Sequence, residues 1–245
     1  MKPQIICHIM SSVDGRLLTA RWSQPFDDTP SSALFQVYAA IGRELGTSAW
    51  MFGKNTVREI FTEKFNDGTT PINSDEPAVF FGERSSERIF IVFDPDSDIR
   101  FASSILRNDN ILVVVGRNTT KEYLAHLREK RISYIIIGNA TNLREGLEMI
   151  GSEFGISSIS VQGGGVLNGE LLADGLIDEL SLVIYPGIDG LSGVSSIFEY
   201  MGEKTKLPAY GLRLQLISAS QREYGVIWLR YKFHSNRICS PHRVQ

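Results

Sequence analysis

The chain has 245 residues, 42% of them apolar and 22% charged, with a formal net charge of −3. This length and composition are typical of one globular domain with a sizeable core, and they argue against disorder. The charge offers no basic field for nucleic acid, and no apolar run approaches the roughly 20 residues of a membrane span, so neither partner is expected. Since no signal-peptide pattern opens the chain, we expect a cytoplasmic protein.

Alternating strands and helices are predicted over most of the chain. Buried strands are indicated by β-branched and aliphatic runs at 4–10, 49–53, 88–94, 111–116, 133–138, 156–162 and 179–186. Helical patterns lie between them at 31–45, 119–130 and 142–154. Asn142 is placed to cap the third helix, with Glu145 three residues on. This alternation predicts an α/β sheet of mostly parallel strands.

In the C-terminal part of the chain, apolar residues recur at every second position. Apolar residues alternate with polar ones around Leu214 and again around Trp228, and a turn at 222–225 lies between them. We therefore predict an antiparallel hairpin added to the sheet, with an apolar edge carrying Trp228, Tyr231 and Phe233 that a partner covers. Residues 1–236 are predicted to form one domain, and 237–245 a disordered or vector-derived tail.

The segment from Thr62 to Arg84 is polar and longer than most connections in compact domains. It is interpreted either as a functional lid or as a mobile loop. Metal binding is not expected, because the four histidines are scattered and the two cysteines, Cys7 and Cys239, form no ligand motif. Both cysteines are predicted to be free thiols.

The stretch Gln162-Gly-Gly-Gly-Val-Leu-Asn168 joins a buried strand to a short helix. Glycines let the backbone approach an anion, and the free N–H groups at a helix start point toward it, so the pattern favours a phosphate site over a simple tight turn. Asn168 stands at the third glycine position of a dinucleotide fingerprint, and Asn55 follows Lys54 where a P-loop needs Ser or Thr. Neither of those two motifs is therefore present.

Two further segments follow strands, Ser12-Val-Asp14-Gly and Gly53-Lys-Asn-Thr56. Loops at the carboxyl ends of strands commonly form the ligand crevice of an open α/β sheet. Taken alone, each segment is better explained as a turn.

Together these segments resemble the reductase domain of bacterial riboflavin biosynthesis, a member of the dihydrofolate-reductase-like superfamily. The resemblance covers most of the chain. Its most specific part is the glycine stretch at 163–169, followed by Ala-Asp-Gly-Leu-Ile-Asp-Glu-Leu at 173–180 and by Tyr185-Pro186. The Ser-x-Asp-Gly turn at 12–15 and the strand end with Gly53 and Thr56 also match.

The resemblance implies a three-layer α/β/α sandwich with a mixed, mostly parallel sheet, assembled as a homodimer. It implies an NADPH-dependent oxidoreductase that passes hydride to a small heterocyclic or ribosylamino substrate, as 5-amino-6-(5-phosphoribosylamino)uracil reductase does. The substrate would lie against Ser12, Asp14 and Gln162, with the 62–84 loop facing it. The implied cofactor-binding residues are Gly53, Thr56, Gly163, Gly164, Gly165, Val166 and Leu167. Arg117 is the first candidate for the 2′-phosphate of NADPH, with Lys54 and Arg58 behind it; no catalytic side chain is assigned.

Several positions depart from the family pattern. The family has an acidic residue at Gln162, an aspartate at Ile60 and a serine at Pro95, and many members carry a fused deaminase domain that this sequence lacks. An amide donates as well as accepts, so the pocket offers its substrate a different polar pattern. A pterin or folate reductase and a non-catalytic nucleotide-binding module therefore stay open as alternatives.

Overall fold

The computed structural model describes residues 1–26, 28–59, 61, 63–66, 68–73, 76–138 and 142–235. Its described strands form one sheet in the order β10-β11-β9-β1-β8-β2-β4-β6-β7-β3, and β5 pairs with β6. The strands are β1 (Gln4–Ser11), β2 (Ala49–Gly53), β3 (Val79–Phe80), β4 (Ile89–Phe93), β5 (Ile105–Leu106), β6 (Asp109–Gly116), β7 (Ser133–Ile137), β8 (Ser158–Val161), β9 (Glu179–Ile184), β10 (Leu212–Gln221) and β11 (Ile227–Ser235). The helices are α1 (Ser31–Glu44), α2 (Lys54–Arg58), α3 (Lys121–Glu129), α4 (Leu143–Phe154) and α5 (Gly165–Ala173).

The predicted fold class is confirmed. β1, β2, β4, β6, β7, β8 and β9 pair in parallel, and the hairpin of β10 and β11 adds to β9 in antiparallel fashion. The central strands are covered on both faces, which is why they consist of nearly continuous apolar runs rather than alternating ones. Every residue of β6 is buried.

Helices cover both faces of the sheet and complete the three layers. On one face, α4 and α5 pack through Leu147, Ile150 and Leu171 onto alternate side chains of the strands. On the other face, α1 contributes Leu34 and Ile41, and α3 contributes residues such as Tyr123. The predicted cap of α4 is confirmed, because the Asn142 side chain accepts a hydrogen bond from the backbone N–H of Glu145 at 3.3 Å.

The segment from Thr62 to Arg84 is not one continuous loop. Val79 and Phe80 form β3, which pairs antiparallel with β7 at the end of the sheet. Two apolar residues in a polar stretch are a weak indication of a strand. They form one here because they pair with the exposed edge of β7.

The prediction that the hairpin exposes an edge with Trp228 was wrong. β11 lies between β9 and β10, and Trp228 is buried with its Nε1 donating to Ser181 Oγ at 2.8 Å. β10 is the edge strand, and its exposed apolar side chains are Leu214, Leu216 and Ile217. A hairpin pattern indicates that two strands pair but not which one joins the sheet.

Some predictions concern residues outside the described ranges: Ile60, Cys239 and the tail at 237–245. Cys7 is a buried free cysteine. None of the described helices has the length and apolar character that a membrane crossing needs.

Candidate active site

A cavity of about 660 Å³ opens at the carboxyl ends of β1, β2, β4 and β8. These neighbouring parallel strands end at the same sheet edge, where open α/β sheets bind their ligands. The volume lies in the range of small-molecule sites. Each of the elements that begin there, the loop after β1, α2 and α5, contributes residues to its wall.

The glycine turn, Gly163 to Gly165, forms the floor of the cavity at the start of α5. Gly163 has φ +86°, a left-handed conformation that favours glycine. A Cβ on Gly165 would lie 2.3 Å from the carbonyl oxygen of Ser196, whereas a Cβ on Gly164 would meet nothing closer than Thr56 Oγ1 at 3.5 Å. Two of the glycines are therefore required by backbone conformation and packing, and the space beside Gly164 is open to a ligand.

The first amides of α5, at Gly165, Val166 and Leu167, have no intrahelical acceptor because they precede the first full turn. These N–H groups point along the helix axis toward the cavity. The positive end of the helix dipole lies at the same place and adds to their attraction for an anion. Val166 and Leu167 line the cavity with their side chains. This arrangement suits a phosphate group.

The structure brings Gly53 and Thr56 to the same place. The Gly53 amide donates to the Gly163 carbonyl at 2.9 Å, and a Cβ on Gly53 would lie 3.4 Å from Leu167 Cβ, so the starts of α2 and α5 are held side by side. Thr56 lies on α2, a five-residue helix that sequence patterns did not predict because it spans little more than one turn. The hydroxyl-bearing strand end was nevertheless recognisable as a candidate.

Gln162 also lines the cavity, and its side-chain amide is held in place by two neighbouring side chains. The Tyr38 hydroxyl donates to its Oε1 at 2.5 Å and also lies 3.0 Å from the His8 carbonyl oxygen, and Gln162 Nε2 donates to Ser160 Oγ at 2.9 Å. Burial raises the pKa of Tyr38 above its ordinary range, so its hydroxyl stays protonated. Gln162 therefore retains one N–H and one lone pair for a ligand.

His8 lies directly behind the side chains of Tyr38 and Gln162. Its ring stacks on Tyr38 with centroids 4.3 Å apart, and its Nδ1 and Nε2 lie within hydrogen-bond distance of Ser181 Oγ (3.0 Å) and the Tyr38 carbonyl oxygen (3.3 Å). Burial lowers the pKa of His8 from 6.5 to about 4. The ring is therefore neutral at pH 7 and serves as a packed support for Tyr38.

Ser12 and Asp14, predicted on the substrate side, are placed next to the cavity but do not line it. The Asp14 carboxylate accepts hydrogen bonds from the Ser12 hydroxyl at 2.7 Å and from the amides of Asp189 and Gly190 at 3.0 and 2.8 Å. The Asp189 amide is the largest cause of a pKa held well below the usual range for this carboxyl. Asp14 thus anchors the chain that runs on to Gly193, Val194 and Ser195, which do line the cavity.

Of the three cations proposed for a 2′-phosphate, Lys54 is the one that lines the cavity. It pairs with Asp96, and Arg58 pairs with Asp98. Desolvation, followed by the nearby Arg58, lowers the pKa of Lys54 below its ordinary value. Arg117 is exposed just beyond β6 and outside the cavity lining.

Sequence patterns did not identify an apolar wall of the cavity, hereafter the α1 wall. It consists of Met10, Leu18, Phe35 and Tyr38. The signal available was Phe35, which is 41% exposed on an otherwise amphipathic helix. A single exposed apolar residue is ordinary, so only its neighbours in space mark it as part of a site.

None of the described residues of the 62–84 segment lines the cavity. The Thr70 N–H donates to Glu122 on α3, and the Gly82 N–H donates to Ser133 on β7. Within the described ranges, no group of three or more His, Cys, Asp or Glu side chains is placed to hold a metal ion.

Solved structures share this fold. A pyrimidine reductase-like protein from Corynebacterium diphtheriae is 19% identical, with a TM-score of 0.62 over 96% of this chain and 93% of its own. The riboflavin biosynthesis reductase of Saccharomyces cerevisiae is 18% identical, with a TM-score of 0.56 over 95% of this chain and 90% of its own. A Thermotoga maritima deaminase and 5-amino-6-(5-phosphoribosylamino)uracil reductase is 14% identical, with a TM-score of 0.56 over 94% of this chain and 56% of its own.

A search of curated protein sequences found no match. The model of the RibD C-terminal domain, in contrast, matches residues 3–228, nearly the whole chain. The glycine turn, the strand end with Gly53 and Thr56, and the segment after α5 all lie inside that match. The chain therefore belongs to the RibD C-terminal domain family, which is a family of reductases.

Proposed function

We propose that this protein is an NADPH-dependent reductase that delivers hydride to a small nitrogen heterocycle. The observation that carries the proposal is the pairing, within one cavity, of a phosphate-compatible floor at the glycine turn with an apolar wall and a fixed amide at Gln162. Family membership supports the reductase class. The resemblance to the family supports NADPH, rather than another reductant, as the cofactor.

The residues present fit such a cofactor. The open space beside Gly164 and the free amides of α5 suit a pyrophosphate, with the Thr56 hydroxyl beside them. Lys54 is the cation best placed for a further phosphate, provided that it exchanges its contact with Asp96 for one with the ligand. A reduced nicotinamide, when bound, supplies the hydride.

The protein's part in the reaction is then positioning and exclusion of water. The α1 wall and Leu167 offer apolar contact to both faces of a planar ring, and Gln162 can orient the ring through its remaining N–H and lone pair. Tyr38 acts as a positioning residue, since it holds Gln162 in place. The titratable side chains that line the cavity are Tyr38, Lys54, Glu59 and Glu170.

Calorimetric titration with NADPH and NADH tests the proposal. We expect NADPH to bind with micromolar affinity and NADH more weakly. Replacement of Lys54 by Ala removes a charge-assisted contact worth about 1.5–3 kcal/mol, so it should weaken NADPH about tenfold or more and NADH little. The exposed Lys204 gives the matched control, Lys204→Ala.

Absence of binding by either dinucleotide contradicts the proposal and favours an interaction module on the same fold. A loss of NADPH affinity in Arg117→Ala, with none in Lys54→Ala, assigns the 2′-phosphate to Arg117 as the sequence predicted.

A homodimer is also proposed. β10 is an edge strand of ten residues that is largely exposed, with apolar side chains at Leu214, Leu216 and Ile217. Long apolar edges are usually covered, and a second copy of the chain would pair or pack there. Size-exclusion chromatography with light scattering should give twice the 27.3 kDa chain mass at micromolar concentration. Leu216→Lys should shift it to monomer, and a monomeric unmodified protein contradicts the proposal.

A further inference from the structure

A buried chain of polar side chains crosses neighbouring strands of the sheet behind the cavity. His8 on β1, Ser181 on β9 and Trp228 on β11 lie on adjacent strands, and His8 and Ser181 are aligned in register. His8 and Ser181 are completely buried and Trp228 is nearly so. None of these side chains lines the cavity. Polar groups are costly to bury without partners, so the hydrogen bonds of this chain need a complete account.

The direction of each hydrogen bond follows from the two ends of the chain. The Tyr38 carbonyl oxygen only accepts, so His8 Nε2, which lies 3.3 Å from it, carries the ring proton. The ring is neutral at pH 7, so Nδ1 has a lone pair and accepts the proton of the Ser181 hydroxyl at 3.0 Å. At the other end, the Trp228 indole can only donate, and it donates to Ser181 Oγ at 2.8 Å. Ser181 therefore accepts from Trp228 and donates to His8.

The opposite tautomer of His8 fits these surroundings less well. The backbone of Ser181 also lies near the ring and could accept a proton from Nδ1. Nε2 would then direct its lone pair at the Tyr38 carbonyl oxygen, and the Ser181 hydroxyl would lose His8 as its acceptor. With the proton on Nε2, in contrast, the indole N–H, the serine hydroxyl and the imidazole N–H each meet an acceptor.

His8 in turn holds Tyr38 in several ways. Their rings stack with centroids 4.3 Å apart, His8 Nε2 donates to the Tyr38 carbonyl, and the Tyr38 hydroxyl lies 3.0 Å from the His8 carbonyl oxygen. Gly42, one turn further along α1, makes room for the ring, since a Cβ there would lie 3.2 Å from His8 Nε2. A glycine inside a helix lowers helix stability, and the close approach of His8 explains its presence here.

We propose that Ser181 and Trp228 are positioning residues for the candidate active site. They fix the tautomer and orientation of His8, which holds Tyr38, and the Tyr38 hydroxyl holds the amide of Gln162. A side-chain amide turns about its last bond unless neighbours hold it, and only a fixed amide presents its donor and acceptor to a ligand in constant positions. The effect on a ligand rests on the proposed function, whereas the orientation of Gln162 does not.

Nuclear magnetic resonance of the ligand-free protein tests the chain of hydrogen bonds. The ring nitrogen signals of His8, assigned as those missing from His8→Asn, should show a protonated Nε2 and an unprotonated Nδ1. Ser181→Ala should shift the Nδ1 signal toward that of a nitrogen without a hydrogen bond. The side-chain amide signals of Gln162, assigned with Gln162→Glu, should shift as well.

Titration of the protein saturated with oxidised NADP measures the effect on ligand binding, because the oxidised cofactor permits binding without turnover. The ligand is 5-amino-6-(5-phosphoribosylamino)uracil, which the name of the Thermotoga maritima neighbour specifies. We expect Ser181→Ala to weaken this compound about tenfold, as the loss of a well-held hydrogen bond would. Ser181→Thr keeps the hydroxyl and should restore the affinity. Trp228→Phe removes the N–H but keeps an aromatic ring, and it should weaken binding by a smaller factor.

Ser133 gives a matched control for the serine variant. It is a buried strand serine on β7 that accepts a hydrogen bond from the Gly82 N–H at 3.0 Å, and it does not line the cavity. Ser133→Ala should lower the melting temperature, as Ser181→Ala does, but leave the Gln162 signals and the affinity for the compound unchanged. Affinity for NADP should be unchanged in both variants, because the glycine turn is intact.

A His8 ring protonated on Nδ1 overturns the inference, and so do Gln162 signals that do not respond to Ser181→Ala. A Ser181→Ala protein that loses thermal stability but binds the compound as tightly as the unmodified protein also overturns it. If Ser181→Ala does not fold, the same comparisons are made with Trp228→Phe. Failure of the unmodified protein to bind NADP or the compound contradicts the proposed function instead, and the ring and amide signals then decide the inference by themselves.

Discussion

Gly164→Val is expected to abolish measurable NADPH binding while the protein stays folded. The backbone at Gly164 (φ −75°, ψ −171°) is extended and suits a β-branched residue, and a Cβ there has 3.5 Å to Thr56 Oγ1. The valine methyl groups would fill the space that the proposed pyrophosphate needs. We expect a loss of at least about 100-fold in affinity, or roughly 2.7 kcal/mol, by calorimetry.

A second glycine variant separates binding from stability. Gly82 does not line the cavity, and an added Cβ there would lie 2.1 Å from the backbone carbonyl oxygen of Arg131. Gly82→Ala should therefore lower the melting temperature but leave NADPH affinity unchanged. Gly164→Val should show the opposite pattern. Unchanged affinity in a folded Gly164→Val protein rules out the glycine turn as the dinucleotide site.

The protein is expected to lose stability between pH 6.5 and pH 4 because of His8. The folded protein keeps this ring neutral, since burial lowers its pKa from 6.5 to about 4. The unfolded chain accepts the proton below about pH 6.5, so the free energy of unfolding is largest above that pH and falls as the pH drops toward 4. The two pKa values differ enough to cost roughly 3 kcal/mol.

Urea unfolding at pH 7, 6, 5 and 4.5 measures this loss. His8→Asn cannot take up a proton in this range, so its free energy of unfolding should fall less steeply with pH than that of the unmodified protein. The other titrating groups are common to both proteins, and the difference between the two curves isolates His8. Parallel curves would show that His8 is protonated to the same extent in the folded and unfolded chains.

The same titration should affect the site. Protonation of His8 places a charge against the ring of Tyr38, whose hydroxyl holds Gln162. Since the folded protein takes up this proton only near pH 4, ligand affinity at the α1 wall should hold down to about pH 5 and decline as the pH approaches 4.

Much of the fold follows from local sequence. Continuous apolar runs such as 111–116 predicted strands buried on both faces, and the cap at Asn142 marked the start of α4. These signals depend on neighbours within a few residues, so they can be recognised from the sequence alone. The two-residue strand β3 and the five-residue α2 were not predicted, because elements that short depend on the sheet beside them.

The residues of the candidate site were likewise only partly predictable from local sequence. The glycine turn and the strand end with Gly53 and Thr56 were recognisable because glycine and hydroxyl residues at strand ends have a local physical meaning. Gln162 was identified through the resemblance, as the residue before the glycine turn, but its partner Tyr38 lies 124 residues away in the sequence. No pattern within one segment could connect them.

By itself, the sequence determined the succession of strands and helices and the place where backbone amides open toward an anion, since each depends on contacts between residues close in the chain. Only the tertiary structure decided which side chains surround that place. It buried Trp228, committed Asp14 to the amides of Asp189 and Gly190, and placed Lys54 rather than Arg117 in the cavity. Those outcomes depend on strand order and crossovers, which bring distant segments together and which local propensity does not encode.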